Sequence, residues 1–199
     1  MLLVTGVPRD LGAQLLPGVV RALAPGRILV SARHLPDPNF SDTVVLLVDY
    51  NEEGAMGLIL NRRTDVPLAR AFPLVSPAPD AKQRLYFGGP VAPDGVMALL
   101  RATSPQPDGR EVLDNVHLIG QREPLESQIR AQTASDRFRV YVGYSGWGPG
   151  QLDREAAEGS WHVLPATADL VFDPDPDSLW DRQIRLTDVR VARLGLTNH

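Results

Sequence analysis

The stretch from Gly143 to Trp161 limits what this chain can become more than any other part of it. Phe138, Val140 and Val142 alternate with Arg139 and Tyr141, the period of two that marks a β-strand. That strand runs into Gly143, Gly146, Gly148 and Gly150, four glycines within eight residues, and then into a short helix closed by Gly159. Trp147 and Trp161 lie on the same path. A strand, a turn of wide backbone freedom and a helix must meet at one corner, with two large rings to accommodate.

The 199 residues around this corner suffice for one domain with a substantial core. Eighteen prolines and 17 glycines favour many turns and short elements over a helical bundle. The absence of cysteine excludes disulfides, thiolate metal sites and thiol catalysis. Lys82 is the only lysine among 20 basic residues, so the P-loop signature, which needs a lysine after its final glycine, is missing. A formal charge of −4 does not favour adhesion to DNA or acidic lipid. Gly6, Pro8 and Arg9 interrupt the apolar opening Met1–Val4, and no later run reaches the ~20 apolar residues of a membrane span. The expectation is a cytoplasmic protein without a membrane partner.

Residues 1–26 read as an N-terminal extension, in which Leu15, Leu16, Val19, Val20 and Leu23 recur at helical spacing before Pro25-Gly26. Residues 27–199 read as a single domain. Its expected strands are Ile28–Val30, Thr43–Val48, Ala55–Leu60, Leu85–Val91 (broken by Gly88-Gly89-Pro90), Val96–Leu100, Val116–Ile119, Phe138–Val142, Trp161–Leu164 and Leu170–Phe172. The unbroken apolar runs at 43–48 and 55–60 fit strands covered on both faces, joined by a hairpin at Asn51–Gly54. Asp37-Pro38 predicts a type I turn capped by the aspartate. Helices are expected at Val66–Phe72, at Pro124–Ala131 with a Glu126–Arg130 pair, and after a capping Asp177. Strands and helices mix without a regular βαβ beat, so the class is α+β.

Four blocks in order then carry a resemblance. They are Asp37-Pro38 with Phe40, Gly54 through Met56-Gly57 to Asn61, Gly88-Gly89-Pro90-Val91, and Gly143-Tyr144 through Trp147 to Gln151-Leu152 with Glu155 and Trp161. The chain resembles the AlgH/YqgE family of small bacterial proteins from about Arg27 to about Arg185. The resemblance implies an irregular, mostly antiparallel sheet curled into a partly closed pseudo-barrel flanked by short helices. It also implies a cytosolic protein labelled a transcriptional regulator, with no established DNA-reading motif or catalytic residues. The chain departs from the family where prolines are common, at Arg33 or His34 and at Arg63, and where an acidic–His pair is common, at Asp49-Tyr50, so no role is assigned to that histidine.

Chemistry is suggested at the opening corner without being completed. Gly143-Tyr-Ser145-Gly-Trp147 approaches a nucleophile elbow, but its second glycine is displaced. The family commonly places alanine where Ser145 stands, which an essential nucleophile would not allow. Gly146, Gly148 and Gly150 before a helix suggest a phosphate cradle, yet Asp153 and Glu155 would oppose an anion there. No metal-ligand spacing links His34, His117, His162 and His199, and no cofactor is implied. Arg182, Arg185, Arg190 and Arg193 are offset by Asp181 and Asp188 and follow no helix-turn-helix pattern, which disfavours direct nucleic-acid binding.

The leading expectation is a non-enzymatic regulatory or interaction protein that binds a protein partner or small ligand. Its candidate contacts are Asn61, Gly88, Gly89, Tyr144, Trp147, Gly150 and Gln151. The alternative is a nucleotide- or phosphoester-handling enzyme using the glycine-rich 143–151 turn, with Asp49 or Glu155 as general base.

Overall fold

The computed structural model describes residues 23–104, 106 and 108–195, with the backbone alone from 189 to 195. The helix expected through Leu15, Leu16, Val19 and Val20 lies outside these residues. The strands are β1 (Arg27–Ser31), β2 (Val44–Asn51), β3 (Gly54–Ile59), β4 (Arg63–Pro67), β5 (Arg84–Phe87), β6 (Val91–Arg101), β7 (Arg110–Leu113), β8 (Val116–Ile119), β9 (Phe138–Trp147) and β10 (Trp161–Pro165). The helices are α1 (Leu68–Ala71), α2 (Arg122–Arg130), α3 (Gln151–Ala157), α4 (Ala168–Val171) and α5 (Leu179–Gly195).

Eight strands form one antiparallel path, β10-β1-β2-β3-β9-β6-β8-β7, which curls into a half-barrel. Its ends approach each other, since a Cβ on Gly26, just before β1, would stand 2.9 Å from the Val112 carbonyl of β7. Inside lie Ile28, Val30, Leu46, Val48, Leu58, Leu99 and Tyr141, closed off by Val171 and Phe172 beside α4 and by Leu179 and Ile184 of α5. The outer face is also covered. Leu29, Val45, Leu47 and Ile59 pack with Leu152 of α3, while Ala98, Leu100 and Val140 pack with Leu125 and Ile129 of α2. Val44 to Val48 are therefore all 0% exposed, which explains the unbroken apolar run. Each such side chain contributes about 1.5–3 kcal/mol of transfer free energy.

The Asp37 turn forms as expected, with Phe40 N–H donating to the Asp37 carbonyl at 3.0 Å and Asn39 N–H to its carboxylate at 2.8 Å. Arg130 reaches Glu126 at 2.9 Å. Other expectations fail. Leu170–Phe172 is no strand: Thr167 accepts the Leu170 N–H at 3.2 Å and starts α4, whose apolar side faces the barrel. The helix expected from Val66 shrinks to α1, because Pro67 is extended (ψ 141°) and ends β4. Asp177 sits in a 3-10 turn, Pro176–Ser178, and caps nothing with its side chain. The alternation along β9 also misleads, since Arg139 is 4% exposed and Tyr141 is 0% exposed. Both faces of β9 are buried over Phe138–Tyr141.

Candidate functional site

Strand β9 is where the family blocks meet. Tyr141 pairs with Tyr86 of parallel β5 on one edge and with Met97 of antiparallel β6 on the other. The chain must cross β9 between those strands, and it does so at Gly88-Gly89-Pro90. The crossing is tight. A Cβ on Gly88 would stand 2.3 Å from the Gly143 carbonyl oxygen, and one on Gly89 would stand 2.3 Å from Tyr144 and Ser145 backbone. Gly88 N–H donates to the Val142 carbonyl at 2.9 Å, and the Gly88 carbonyl accepts from Ile59 N–H at 3.1 Å. Ser145 is 0% exposed and donates its hydroxyl proton to that same Gly88 carbonyl at 3.0 Å. Its hydroxyl ties the crossing together and has no base beside it among its hydrogen-bond partners.

Past the crossing, Trp147 is a buried anchor. It stacks on Phe40 at 5.8 Å and meets Trp161 edge-on at 6.0 Å, while Phe40 and Trp161 lie 5.7 Å apart. Such pairs add about 0.5–1.5 kcal/mol each beyond area burial. Each indole N–H needs an acceptor, and one carboxylate supplies both. Glu155 Oε2 accepts from Trp147 Nε1 at 3.0 Å and from Trp161 Nε1 at 2.8 Å, while its Oε1 accepts from Gln151 Nε2 at 2.8 Å. Glu155 is thus a clip for two rings, with three N–H donors already engaged by its carboxylate. Gly150 begins α3 in the left-handed region (φ 64°), and Gln151 Oε1 accepts the Gly148 N–H at 3.1 Å. A donor that a phosphate cradle would offer is therefore already occupied. Asn61 lies elsewhere, accepting Val44 N–H at 2.9 Å and donating to the Asp42 carbonyl at 2.8 Å. It holds the turn at Asp42 (φ 54°) and takes no part in the corner.

A free surface remains beside the crossing. Tyr144, paired in register with Val91, forms with Met56, Gly146 and Val91 the floor of an open groove of about 400 Å³. Gly146 keeps that floor low, because a Cβ there would press on the Tyr144 ring at 3.2 Å and on Val91 at 3.3 Å. Asp49, Asn51 and Glu53 rim the groove, and no cation lines it. The nearest compensating charge to Asp49 is Arg110, at 3.5 Å. Nearby, Tyr50 donates its hydroxyl proton to Asp153 at 2.7 Å, and that bond, with some burial, raises the Tyr50 pKa. A larger hollow of about 480 Å³ beside α2, lined by Gln106, Gln121 and Gln128, contains none of the seven candidate contact residues.

Of the seven expected contacts, Tyr144 and Trp147 line the groove, Gly88 and Gly89 underlie it, and Gly150 with Gln151 sit behind Trp147. Met56, Val91 and Glu53 were not singled out as contacts. Tyr144 keeps part of its surface free, as does Phe40, whereas Trp147 and Trp161 are buried. Among the described residues, no three His, Asp or Glu side chains gather as metal ligands, and no helix is long and apolar enough to cross a membrane.

Known proteins share this fold. The AlgH-like family model matches residues 28–192. A UPF0301 protein of Myxococcus xanthus is 36% identical over 178 residues, covering 88% of this chain and 96% of the relative. Another, from Chlorobium limicola, is 34% identical over 165 residues, covering 82% and 86%. The solution structure of AlgH from Pseudomonas aeruginosa superposes with a TM-score of 0.65 at 31% identity, covering 88% of this chain and 93% of that one. The crystal structure of DIP2367 from Corynebacterium diphtheriae gives a TM-score of 0.70 at 26% identity, covering 82% and 87%. A match through all four blocks, from β1 into α5, leaves one conclusion: this chain belongs to the AlgH-like family.

Proposed function

We propose that this chain is a non-catalytic cytoplasmic interaction protein whose Tyr144 groove receives an extended basic segment of a protein partner. One observation carries the reading: an apolar floor of Met56, Val91 and Tyr144 rimmed by Asp49 and Glu53, with no cation in the lining. An aliphatic or aromatic side chain would seat on Tyr144 while a neighbouring lysine or arginine meets the rim. Any regulatory effect would then be exerted through the partner and not by reading DNA. The basic C-terminal stretch supports that division, because Arg182 is held by Asp173 at 2.6 Å and Arg185 Nε donates to the Asp181 carbonyl.

Selection from a displayed peptide library tests the proposal. Recovered peptides should carry Lys or Arg beside an apolar residue, and their binding should weaken as salt rises. Tyr144→Ala, if folded, should cost about 2 kcal/mol of binding, as expected of an anchoring aromatic. Asp49→Asn with Glu53→Gln should remove the preference for basic peptides. Recovery of neutral or acidic peptides, or equal affinity for the folded variants, would overturn it.

A further inference from the structure

The start of β9 holds a charge that the groove does not explain. Arg139 is 4% exposed, yet no carboxylate pairs with it among the described residues. Its Nη1 donates to the Val171 carbonyl at 3.0 Å and its Nη2 to the Asp173 carbonyl, while Nε, shielded from solvent, has no hydrogen-bond partner and the buried Tyr141 hydroxyl lies near enough to feel the charge. The guanidinium lies over the rings of Tyr86 at 5.0 Å and Phe172 at 5.8 Å. Carbonyl dipoles and ring faces stabilise a buried cation only in part, so Arg139 would gain from an anion placed nearby.

A cavity of about 270 Å³ opens beside this group. Arg63, Lys82, Arg84 and Arg139 line it against a single lining carboxylate, Asp136. Arg63 is shared with Asp177 at 3.1 Å, but Arg84 donates only to the carbonyls of Ala81 and Gln83, and Lys82 has no acidic partner among the described residues. We infer that this cavity binds a phosphoryl anion, a phosphate monoester or diphosphate group, with Arg139 at its floor and Lys82 and Arg84 closing over it. With Arg63 shared with Asp177, three cations still face one lining carboxylate, a balance that favours a multivalent anion over a monocarboxylate. Guanidinium groups match phosphoryl oxygens through paired donors. Tyr86 and Phe172 leave an apolar wall for whatever group carries the phosphate. The site is independent of the groove, which lies at the opposite end of β9.

Calorimetric titration of the full chain with pyrophosphate and with phenyl phosphate tests this, with acetate at matched ionic strength as control. Saturable one-to-one binding that weakens with salt is expected, together with a shift of the Arg139 Nε–H resonance and no response to acetate. Lys82→Gln with Arg84→Gln, both side chains being partly or fully exposed, should weaken binding about tenfold while leaving the melting temperature unchanged. Folded Arg139→Met should lose binding altogether. Absence of saturable binding, a shift pattern that avoids Arg139, or equal affinity in the double variant would overturn the inference. In those cases Arg139 serves only to hold the carbonyls beside α4.

Discussion

The two ends of β9 each place a charged group under aromatic rings, and they treat it in opposite ways. At the C-terminal end, Glu155 receives three N–H donors from Trp147, Trp161 and Gln151. At the N-terminal end, Arg139 is left with two carbonyls, two ring faces and an unpaired Nε. A satisfied charge locks a fold. An incompletely satisfied one, beside a cation-lined cavity, still has something to gain from a ligand. Burial alone therefore does not separate structural from functional charge; the count of partners does.

The largest effect should come from the point between the two ends. Gly89 has φ 149°, and any Cβ there meets Tyr144 and Ser145 backbone at 2.3 Å, so Gly89→Ala should leave little folded protein. Circular dichroism of the purified variant reads this directly, and a native-like melt would mean that the crossing yields more easily than the geometry implies. Next comes Glu155→Ala, which strands two indole donors and should cost about 3 kcal/mol in urea unfolding, at about 1–3 kcal/mol per unsatisfied group. A loss below about 1 kcal/mol would show water replacing the carboxylate easily, breaking the contrast from this side.

Arg139→Met should cost less, about 1 kcal/mol, despite the deeper burial. It removes hydrogen bonds but also the desolvation penalty of an unpaired charge. A cost equal to that of Glu155→Ala would make the two ends alike. The smallest effect concerns His162, next to Trp161. Burial lowers its pKa, with Asp188 opposing. Its contribution to stability is then fully present above the ordinary value of 6.5 and declines as pH falls below it. Melting temperatures between pH 8 and pH 5 should fall gently in the parent, with a flatter trend in His162→Gln; identical slopes would remove His162 from the account.

How much of this could be read beforehand differs by element. The two-sided burial of β2 was legible because five consecutive apolar residues leave a strand no exposed face. The polar β4 was not, since Arg63-Thr-Asp-Val-Pro gains its pairing only from β5. A run as short as Leu170–Phe172 carries no period, and the Thr167 cap decided it. At the site, the glycines announced a crowded corner but not the strand crossing that crowds it. Glu155 looked like a candidate base because nothing in the chain's order reveals that Trp147 and Trp161 converge on it. The burial of Arg139 was not legible either, because a period of two identifies a strand without saying whether its second face meets water.

The place of β9 in the sheet has a consequence for how the protein is made. Among the described strands it alone joins β1–β3 to β6–β8, yet it is among the last to be synthesised. Until Phe138–Trp147 leaves the ribosome, β3 and β6 remain open edges, the condition under which nascent chains pair wrongly or with one another. Assembly must wait for a segment distant in sequence from most of its partners, so slow, chaperone-sensitive folding follows from the topology itself.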